Sequence, residues 1–544
     1  MINFAVMNNP FDYVPGEECQ AAFRELLLRL ERLRESGRSE DVNFCRELAE
    51  GKMLGVLIAE DSTGVRHRLF AFSGQIGGAG FHFPGFVGPV IDYLQPEGYF
   101  KIHERDISRQ NEEISRFEKE VLAKARDRYE EAESLSEVRI NNLREKYNAS
   151  KRQREERRES GKADESELAE MIRQSQFEKA ELRRLKGREK ERLLPFAEEL
   201  ARAKNQLQGM KEKRKCDSER LQSWLFTEFR LLNAAGEWKS LRDIFAETPW
   251  KIPPSGAGEC CAPKLLQAAY LKGWTPIEMA EYWYGKPKGG EVRRHGEHYP
   301  ACRGKCLPVL SWMLRGMEVS PPIGEDCRAT PESAAKVIYE TVLFCVVSKP
   351  SGMLSVPGKG KSESIEDWLK SKYPDKGFLK MAHRLDQDTS GLMIAAFTPD
   401  SYKELQAQFA LRKIEKEYEA LLDGDYKALD IPPMGRIELP LSADILDRPR
   451  QYVDFATGKE ALTEYEFIGV EEGRSRVVFR PRTGRTHQLR IHAASESGLG
   501  MPIVGDRLYG KRRARERLHL HARRVEFDFP LDGRHYSFEV HAPF

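Results

Sequence analysis

Three short segments near the C-terminus combine residue types that suit catalysis. Residues 383–397 read HRLDQDTSGLMIAAF, which places Asp386 on a Thr/Ser/Gly-rich loop just before an apolar strand. Residues 416–424 read KEYEALLDG, and residues 480–492 read RPRTGRTHQLRIH, with four arginines and two histidines around a Thr-Gly turn. An aspartate beside Arg384, with more arginines available from other segments, stays ionised although it is partly buried. Such a carboxylate suits a nucleophile or a base better than a general acid.

The surrounding sequence predicts the sheet that must position these segments. Short β-like runs such as VIYETVLFCVVSK, GLMIAAF and SRVVFRPR alternate with helical insertions such as SIEDWLKSKY and DSYKELQAQFALRK. Because strand runs outnumber helices, we expect a mixed, mainly antiparallel sheet rather than a parallel βαβ stack.

The whole chain is predicted to be of the α+β class and to have several parts. Its 544 residues are long enough for about three or four domains. Pattern changes divide it into a small mixed α/β domain (1–104), a coiled-coil helical hairpin (105–215), a helical Cys/His-rich segment with a linker (216–330) and the sheet domain (331–544). In the first part, 21–34 predicts a helix, 53–61 and 68–76 predict strands, and the Gly-rich stretch 74–89 predicts a loop.

The second part has apolar residues at helical spacing on both sides of a polar break near Gly161. This pattern predicts two antiparallel helices, the second of which ends or kinks at Pro195. The hairpin is either a solvated arm without chemistry or an arm that grips RNA or a ribosome. The second interpretation comes from the basic runs KRQREERR (151–158) and KEKRK (211–215).

The third part contains a candidate zinc site. Cys302 and Cys306 have the spacing CRGKC, and His298 and the pair Cys260 and Cys261 complete a plausible set of ligands. The spacing is not that of a standard zinc knuckle. Reduced thiols without a metal are the alternative, and the choice stays open.

The composition of the chain also indicates the cellular compartment in which the protein works. The chain has nine cysteines, no apolar run of membrane-spanning length and no secretory signal at its start. These features predict a cytoplasmic protein with reduced thiols and no membrane partner.

Charge is distributed unevenly along the chain. The net charge is only +2, yet residues 474–524 contain 14 Arg and Lys against three acids, a net of +11. The domain as a whole, 331–544, has 33 basic against 32 acidic residues, a net of +1. A concentrated basic stripe that includes KRRARER (511–517) is typical of a polyanion site, and it favours nucleic acid as the partner.

At these segments the chain resembles a known family. HRLDQDTSGL, KEYEALLDG, TGRTHQLRIH and GDRLYG (505–510) closely resemble the motifs of the RluA-type pseudouridine synthases, and VVSKPSGMLSVPG (346–358) resembles that family's first strand and loop. The resemblance covers about residues 334–544. Phe397-Thr398 replaces the family's small-then-basic pair, and the small N-terminal RNA-binding domain of some members is not evident.

The resemblance implies roles for individual residues. Asp386 would be the catalytic nucleophile, attacking either the ribose anomeric carbon or the uracil ring, and Arg485 would pair with it and keep it ionised. Arg384 would occupy the space left by a flipped-out nucleotide. Tyr418 would stack on the target base and block other routes for its proton, and Leu489 would pack against the uracil.

Further residues are candidates for contact with the RNA or the base. They are His383, Thr389, Arg482, Arg490, Arg512 and Arg513. We expect His383 and His487 to have structural roles rather than acid-base roles. Isomerisation of uridine needs no redox cofactor, metal or nucleotide cofactor, so none is expected.

The sequence therefore predicts an RNA pseudouridine synthase that modifies a specific uridine in structured RNA. Ribosomal RNA is favoured over tRNA as the partner, with a ribosomal particle as a further candidate, because a long arm suits a large particle. An NTPase is rejected, because SVPGKGKS (355–362) has Ser355 where a P-loop needs glycine. A hydrolase that cleaves the glycosidic bond would need a second carboxylate to activate water, and no matching Asp or Glu is identifiable in the three motifs. A non-catalytic RNA-binding or ribosome-assembly factor on the same scaffold is the remaining alternative, and the intact Asp386, Tyr418 and Arg485 argue against it.

Overall fold

The computed structural model describes residues 6–76, 83–159, 161, 163–287, 289–321, 334–358, 363–445, 447–510 and 516–544. The chain divides into two compact units. The first unit combines Met1–Asp92 with Phe226–Phe544, and the second is Tyr93–Leu225.

Helices and strands both occur throughout the described part of the chain. In chain order, the helices are α1 Glu17–Glu35, α2 Ser39–Ala49, α3 Tyr99–Phe117, α4 Ala123–Glu159, α5 Glu165–Glu228, α6 Leu241–Ala246, α7 Cys261–Leu271, α8 Cys306–Met313, α9 Ile365–Lys372, α10 Pro399–Ala410 and α11 Gln488–Ala494. The strands are β1 Lys52–Glu60, β2 Arg66–Phe72, β3 Arg230–Leu232, β4 Trp238–Ser240, β5 Thr275–Tyr284, β6 Lys336–Glu340, β7 Phe344–Lys349, β8 Lys380–Met381, β9 Ser390–Ala396, β10 Glu415–Leu422, β11 Met434–Glu438, β12 Leu441–Ala443, β13 Gln451–Val453, β14 Leu462–Glu471, β15 Arg474–Pro481, β16 Leu520–Phe529 and β17 Arg534–Glu539.

A ten-stranded mixed sheet forms the C-terminal part of the first unit. Its path runs β11-β14-β15-β10-β16-β9-β7-β6, with β17 on β16 and β8 on β9. The pair β9 and β16 is parallel, and the other pairs of this sheet are antiparallel. Every residue of β9 is buried, because hydrophobic clusters cover both faces of the sheet there. The predicted α+β class and the mixed, mainly antiparallel sheet are confirmed.

The N-terminal part of the first unit corrects the predicted domain boundaries. Strand β5 pairs with β1 to form the sheet β2-β1-β5, so the segments 1–104 and 216–330 share one sheet instead of forming separate domains. Helix α7 packs on this sheet at Gly55, where a Cβ atom would lie 2.4 Å from Cys261 Cβ. The sequence did not indicate this pairing, because the long helical insertion separates the two strands.

The second unit is a pair of long antiparallel helices. A π-helical turn, Glu118–Leu122, joins α3 to α4, and the chain reverses at Gly161, which has a φ of +67°. Ion pairs Arg128–Glu199, Arg139–Glu189 and Arg154–Glu178 link the two arms. The hairpin begins at Tyr99 and α5 ends at Glu228, beyond the predicted limits of 105 and 215.

Two predictions about this hairpin change. Helix α5 continues through Pro195, so of the two predicted outcomes the end at that residue is wrong, and the kink stays a prediction. In the basic runs, Arg154, Arg157 and Lys211 each pair with a glutamate of the same unit. This self-pairing matches the interpretation of the hairpin as a solvated arm. Among the described residues, no helix is both long enough and apolar enough to cross a membrane.

Candidate active site

The loop that carries Asp386 ends where β9 meets β16. Gly391, at the start of β9, has a φ of +118°, and a Cβ atom there would lie 2.3 Å from the carbonyl oxygen of Ala522. Only glycine therefore allows the close parallel pairing of Ser390 and Gly391 with His521 and Ala522. This pairing explains the glycine of the TSGL motif and fixes the C-terminal end of the loop.

A buried lysine anchors the other side of the same loop. Lys349, at the end of β7, donates hydrogen bonds to the carbonyl oxygens of Pro350, Met353 and Gln387 at 2.8 to 2.9 Å. Its side chain is 1% exposed, and burial lowers its pKa to about 7. Ser355 Oγ adds a second anchor, because it accepts from Leu385 N at 3.0 Å and donates to Leu385 O at 2.7 Å. The backbone on both sides of Asp386 is thus held in place.

Arg490, on α11, is the arginine that faces Asp386. Its Nη1 lies 3.8 Å from Asp386 Oδ2, while its Nε and Nη2 donate to the two carboxylate oxygens of Asp506 at 2.7 Å each. Backbone N–H groups of Leu508 and Tyr509 also donate to Asp506. The bidentate pair fixes the guanidinium plane, so one edge stays directed toward Asp386.

His487 lies on the same side of Asp386. Its Nε2 is 3.9 Å from Asp386 Oδ2, and its Nδ1 is 2.8 Å from Tyr509 Oη. Burial and the nearby Arg490 lower the pKa of His487 to about 3, so the ring is neutral at pH 7. Because Tyr509 Oη already accepts from Gln451 N, we assign its proton to the His487 Nδ1 bond, which leaves the imidazole proton on Nε2.

These groups surround a cavity of about 110 Å³. Its lining includes Arg384, Asp386, Thr389, Tyr418, Arg485, His487, Leu489 and Arg490. The Asp386 side chain is 22% exposed and opens into this space. Carboxylate, tyrosine ring and apolar leucine therefore face one small volume, an arrangement that suits a planar base beside a nucleophile.

The arginines near Asp386 were expected to keep its carboxylate ionised, but the net shift of its pKa is upward. Burial raises the pKa of Asp386, and Arg490 and then Arg384 act in the opposite direction. Burial also raises the pKa of Tyr418, with a smaller contribution from the Asp386 charge, so this phenol stays protonated. The arginines thus offset only part of the burial penalty on the carboxylate.

The structure places several predicted residues away from Asp386. Arg485 lines the cavity, but its Nε donates to the carbonyl oxygen of Glu460, and the predicted pairing with Asp386 is wrong. The reason is that α11 begins at Gln488, which turns Arg490 rather than Arg485 toward the carboxylate. The ring of His383 packs on Phe409, and its Nε2 accepts from Ile394 N. These contacts fit the structural role expected for His383 and correct its assignment as a candidate RNA or base contact.

The basic stripe is largely neutralised inside the domain. Arg482, a predicted RNA contact, donates twice to Glu464. Within the described part of 474–524, the arginines with acidic partners are Arg474, Arg476, Arg480, Arg482, Arg490, Arg507, Arg523 and Arg524. The stripe is therefore not a continuous free cationic surface there, since acids on neighbouring strands, together with Asp12, Asp506 and Glu516, pair with its arginines. Arg512 and Arg513 lie outside the described residues.

The candidate zinc ligands do not assemble into one site. Cys261 Sγ donates to Met53 O at 3.1 Å, and His298 lies beside the rings of Tyr13 and Tyr282. Only Cys260, Cys302 and Cys306 stay close together. No group of three or more His, Cys, Asp or Glu side chains able to hold a metal ion occurs in the part of the chain that the structure describes.

Comparison with known proteins agrees with this site. The family model for RNA pseudouridylate synthase matches residues 344–495, which include the Asp386 loop, β10 and α11. The dual-specificity RNA pseudouridine synthase RluA of Haemophilus influenzae is 36% identical over 238 residues, which cover 42% of this chain and 99% of that protein. This chain belongs to the RluA-type RNA pseudouridine synthases. It is accordingly an isomerase that acts on RNA.

A second RluA protein and one solved structure also match this chain. The RluA protein of Escherichia coli K12 is 39% identical over 214 residues, which cover 38% of this chain and 93% of that protein. The solved structure of human RNA pseudouridylate synthase domain containing 1 is 25% identical, with a TM-score of 0.33, and covers 40% of this chain and 87% of that chain.

Three residues of this RluA-type site had no assigned role at the sequence level. Lys349 carries a charge inside the apolar run VLFCVVSK, and such a residue signals a buried anchor. Asp506 and Tyr509 belong to the GDRLYG motif, which resembled the family without indicating what each residue contacts. Their partners lie 16 to 22 residues earlier, across a loop, so spacing alone could not identify them.

Proposed function

We propose that this synthase isomerises a specific uridine in structured RNA, with Asp386 as the nucleophile. The observation that carries the proposal is the Asp386 carboxylate, which opens into a small cavity lined by Tyr418 and Leu489 and is faced by Arg490 at 3.8 Å. A carboxylate held rigidly beside the sugar and the base can form a covalent adduct with either one.

The residues around the cavity assist the steps that follow the attack by Asp386. The glycosidic bond breaks, the uracil turns while it stays enclosed, and it rejoins the ribose through carbon 5. The carbon 5 proton is then lost to solvent and N1 takes up a proton, so the net change is an isomerisation. Tyr418 offers a flat ring on which the base stacks, and Leu489 offers an apolar surface that keeps water out. Neutral His487 and the Arg490–Asp506 pair hold the carboxylate in position without supplying a competing nucleophile.

Arg384 supports the extrusion of the target nucleotide. It is exposed at the rim of the cavity and has no hydrogen-bond or ion-pair partner among the described residues. A free cationic side chain two residues before the nucleophile can fill the space that a flipped-out nucleotide leaves in a helix. Arg485, which also lines the cavity, is a candidate contact to a flanking phosphate.

Ribosomal RNA is the substrate class that we favour. Helix α4 alone has 37 residues, which corresponds to a length of about 55 Å at 1.5 Å per residue. An arm of this length suits contact with a large particle better than contact with a small RNA. The support comes from its length, because many of its charges are paired within the arm.

Mapping of pseudouridines in total RNA tests both parts of the proposal. Carbodiimide adducts and reverse-transcriptase stops are compared between cells with and without the gene, and after complementation. We expect one ribosomal RNA site to be lost and then restored by the wild type but not by Asp386→Asn. Loss of a tRNA site instead would refute the substrate class alone. Restoration by Asp386→Asn would refute the mechanism.

A further inference from the structure

Three cysteines form a cluster outside the RNA-modifying site. Cys260 directly precedes α7, and Cys306 is the first residue of α8. The Cys306 thiol donates to Cys260 Sγ at 3.2 Å, and the Cys306 backbone N–H donates to Cys302 Sγ at 3.4 Å. Cys306 therefore lies between the other two thiols.

The three thiols differ in their access to solvent. Cys306 is 2% exposed, whereas Cys260 and Cys302 are half-buried. The adjacent Cys261 is directed away, toward the carbonyl oxygens of Met53 and Ala71. A reagent from solvent thus meets Cys302 or Cys260 first, with the buried Cys306 directly behind.

The surroundings favour a reaction between these thiols. Cys306 belongs to the hydrophobic cluster that holds the β2-β1-β5 sheet, and Cys260 and Cys302 pack against it, so the three sulfurs are held by a rigid core. A partly exposed thiol that has a second thiol in reach can be oxidised and then resolved as a disulfide.

We propose that Cys260, Cys302 and Cys306 form an oxidation site for hydroperoxides, in which Cys306 is the resolving thiol. The Cys302 thiolate attacks the peroxide, the O–O bond breaks, and an S–O bond forms, which gives a sulfenic acid and releases hydroxide. The Cys306 thiol then attacks this sulfur. An S–S bond forms, the S–O bond breaks, and the hydroxyl leaves as water with the thiol proton.

Cys260 extends the site by exchange. Its sulfur contacts Cys306, so its thiolate can attack the Cys306 sulfur and replace Cys302 in the disulfide. The sulfurs need to approach from 3.2 Å to about 2.05 Å, a movement within the reach of side-chain rotation. In balance, two thiols and one hydrogen peroxide give one disulfide and two waters. Oxidation of these cysteines therefore does not depend on RNA modification.

The test uses the reduced full-length protein and hydrogen peroxide. We expect the intact mass to fall by two hydrogen atoms, and seven of the nine cysteines to stay titratable after denaturation. Peptide mapping should find Cys306 in the disulfide, joined to Cys302 or Cys260. A disulfide that lacks Cys306 would overturn the proposal, and so would a purified protein in which these thiols hold stoichiometric zinc.

Variants separate the attacking and the resolving thiol. In Cys306→Ser, a dimedone adduct should accumulate on Cys302, whereas Cys302→Ser should form no adduct there and should oxidise at least tenfold more slowly. Cys216→Ser is the matched control, because Cys216 is exposed and outside the cluster, and its loss should change nothing. Equal oxidation rates for Cys216 and Cys302 would refute the proposal. If Cys306→Ser does not fold, the disulfide map of the wild type decides alone.

Discussion

Replacing Arg490 by methionine should shift the pH dependence of catalysis to higher pH. The guanidinium Nη1 lies 3.8 Å from Asp386 Oδ2. At an effective dielectric constant of about 20, a charge pair at this distance interacts by about 4 kcal/mol. This energy corresponds to about three pH units in the pKa of the carboxylate. Since burial already raises that pKa, loss of Arg490 should raise it further and leave a larger fraction of Asp386 protonated at any given pH.

Single-turnover release of tritium from carbon 5 of uridine, on RNA that contains the mapped site, measures this effect. The acid limb of the rate should move upward by about one to three pH units, by the same Coulomb argument. Arg490→Lys keeps the charge and should shift the limb less, although it loses the bidentate contact with Asp506.

Arg485→Met is the matched control for this experiment. It removes a cavity arginine that does not contact Asp386, so it should weaken RNA binding without moving the acid limb. Arg490→Met also leaves the Asp506 carboxylate buried without its partner, which should lower the free energy of unfolding by about 3–5 kcal/mol. The melting temperature of each variant must therefore be measured together with its pH profile. An acid limb that moves in Arg485→Met but not in Arg490→Met would refute the assignment.

Three further predictions concern the same site. Asp386→Asn should abolish turnover and raise the melting temperature at pH 7. The pKa of Asp386 is raised in the folded state, so the ionised carboxylate destabilises the fold at pH values above the ordinary pKa of 3.8. The gain in melting temperature should vanish below pH 3.8, and differential scanning calorimetry above and below that pH checks it. Tyr418→Ala should weaken kcat/KM by about 10- to 100-fold through lost base stacking of about 1–3 kcal/mol, while Tyr418→Phe should retain RNA affinity in a filter-binding assay. The Lys349 pKa of about 7 lies below its ordinary 10.5, so the stability of the wild type relative to Lys349→Met should rise between pH 7 and 10.5 by up to about 5 kcal/mol. Denaturant titrations that show no such trend would contradict the lowered pKa of this buried lysine.

Much of the catalytic domain follows from local sequence. Alternating and continuous apolar runs predicted the strands, and the preference for strands over helices predicted a mixed, mainly antiparallel sheet. The Asp386 loop could be located because a polar Thr/Ser/Gly segment before a wholly apolar strand has few other structural uses. Residue periodicity also predicted the helical hairpin and its reversal near Gly161.

Pairings between distant segments could not be read in this way. The sequence predicts β1 as a strand, but it places 275–284 in a helical Cys/His-rich segment and does not indicate β5. The pairing of β5 with β1 depends on how α7 fits over Gly55. Likewise, a basic stripe counted along the chain takes no account of acids on neighbouring strands. Arg476 and Arg480, for example, are paired with Glu419 and Glu417 across β10 and β15.

The sequence by itself determined the reaction class and located the Asp386 loop, because the motifs that resemble the RluA-type family consist of residue types at fixed short spacing. Only the tertiary structure decided which arginine faces Asp386. Arg485 and Arg490 stand five residues apart in one motif, and the start of α11 at Gln488 directs them to different partners. Such a choice is set by the direction of side chains in three dimensions and by the bidentate bond to Asp506, neither of which is encoded in local spacing.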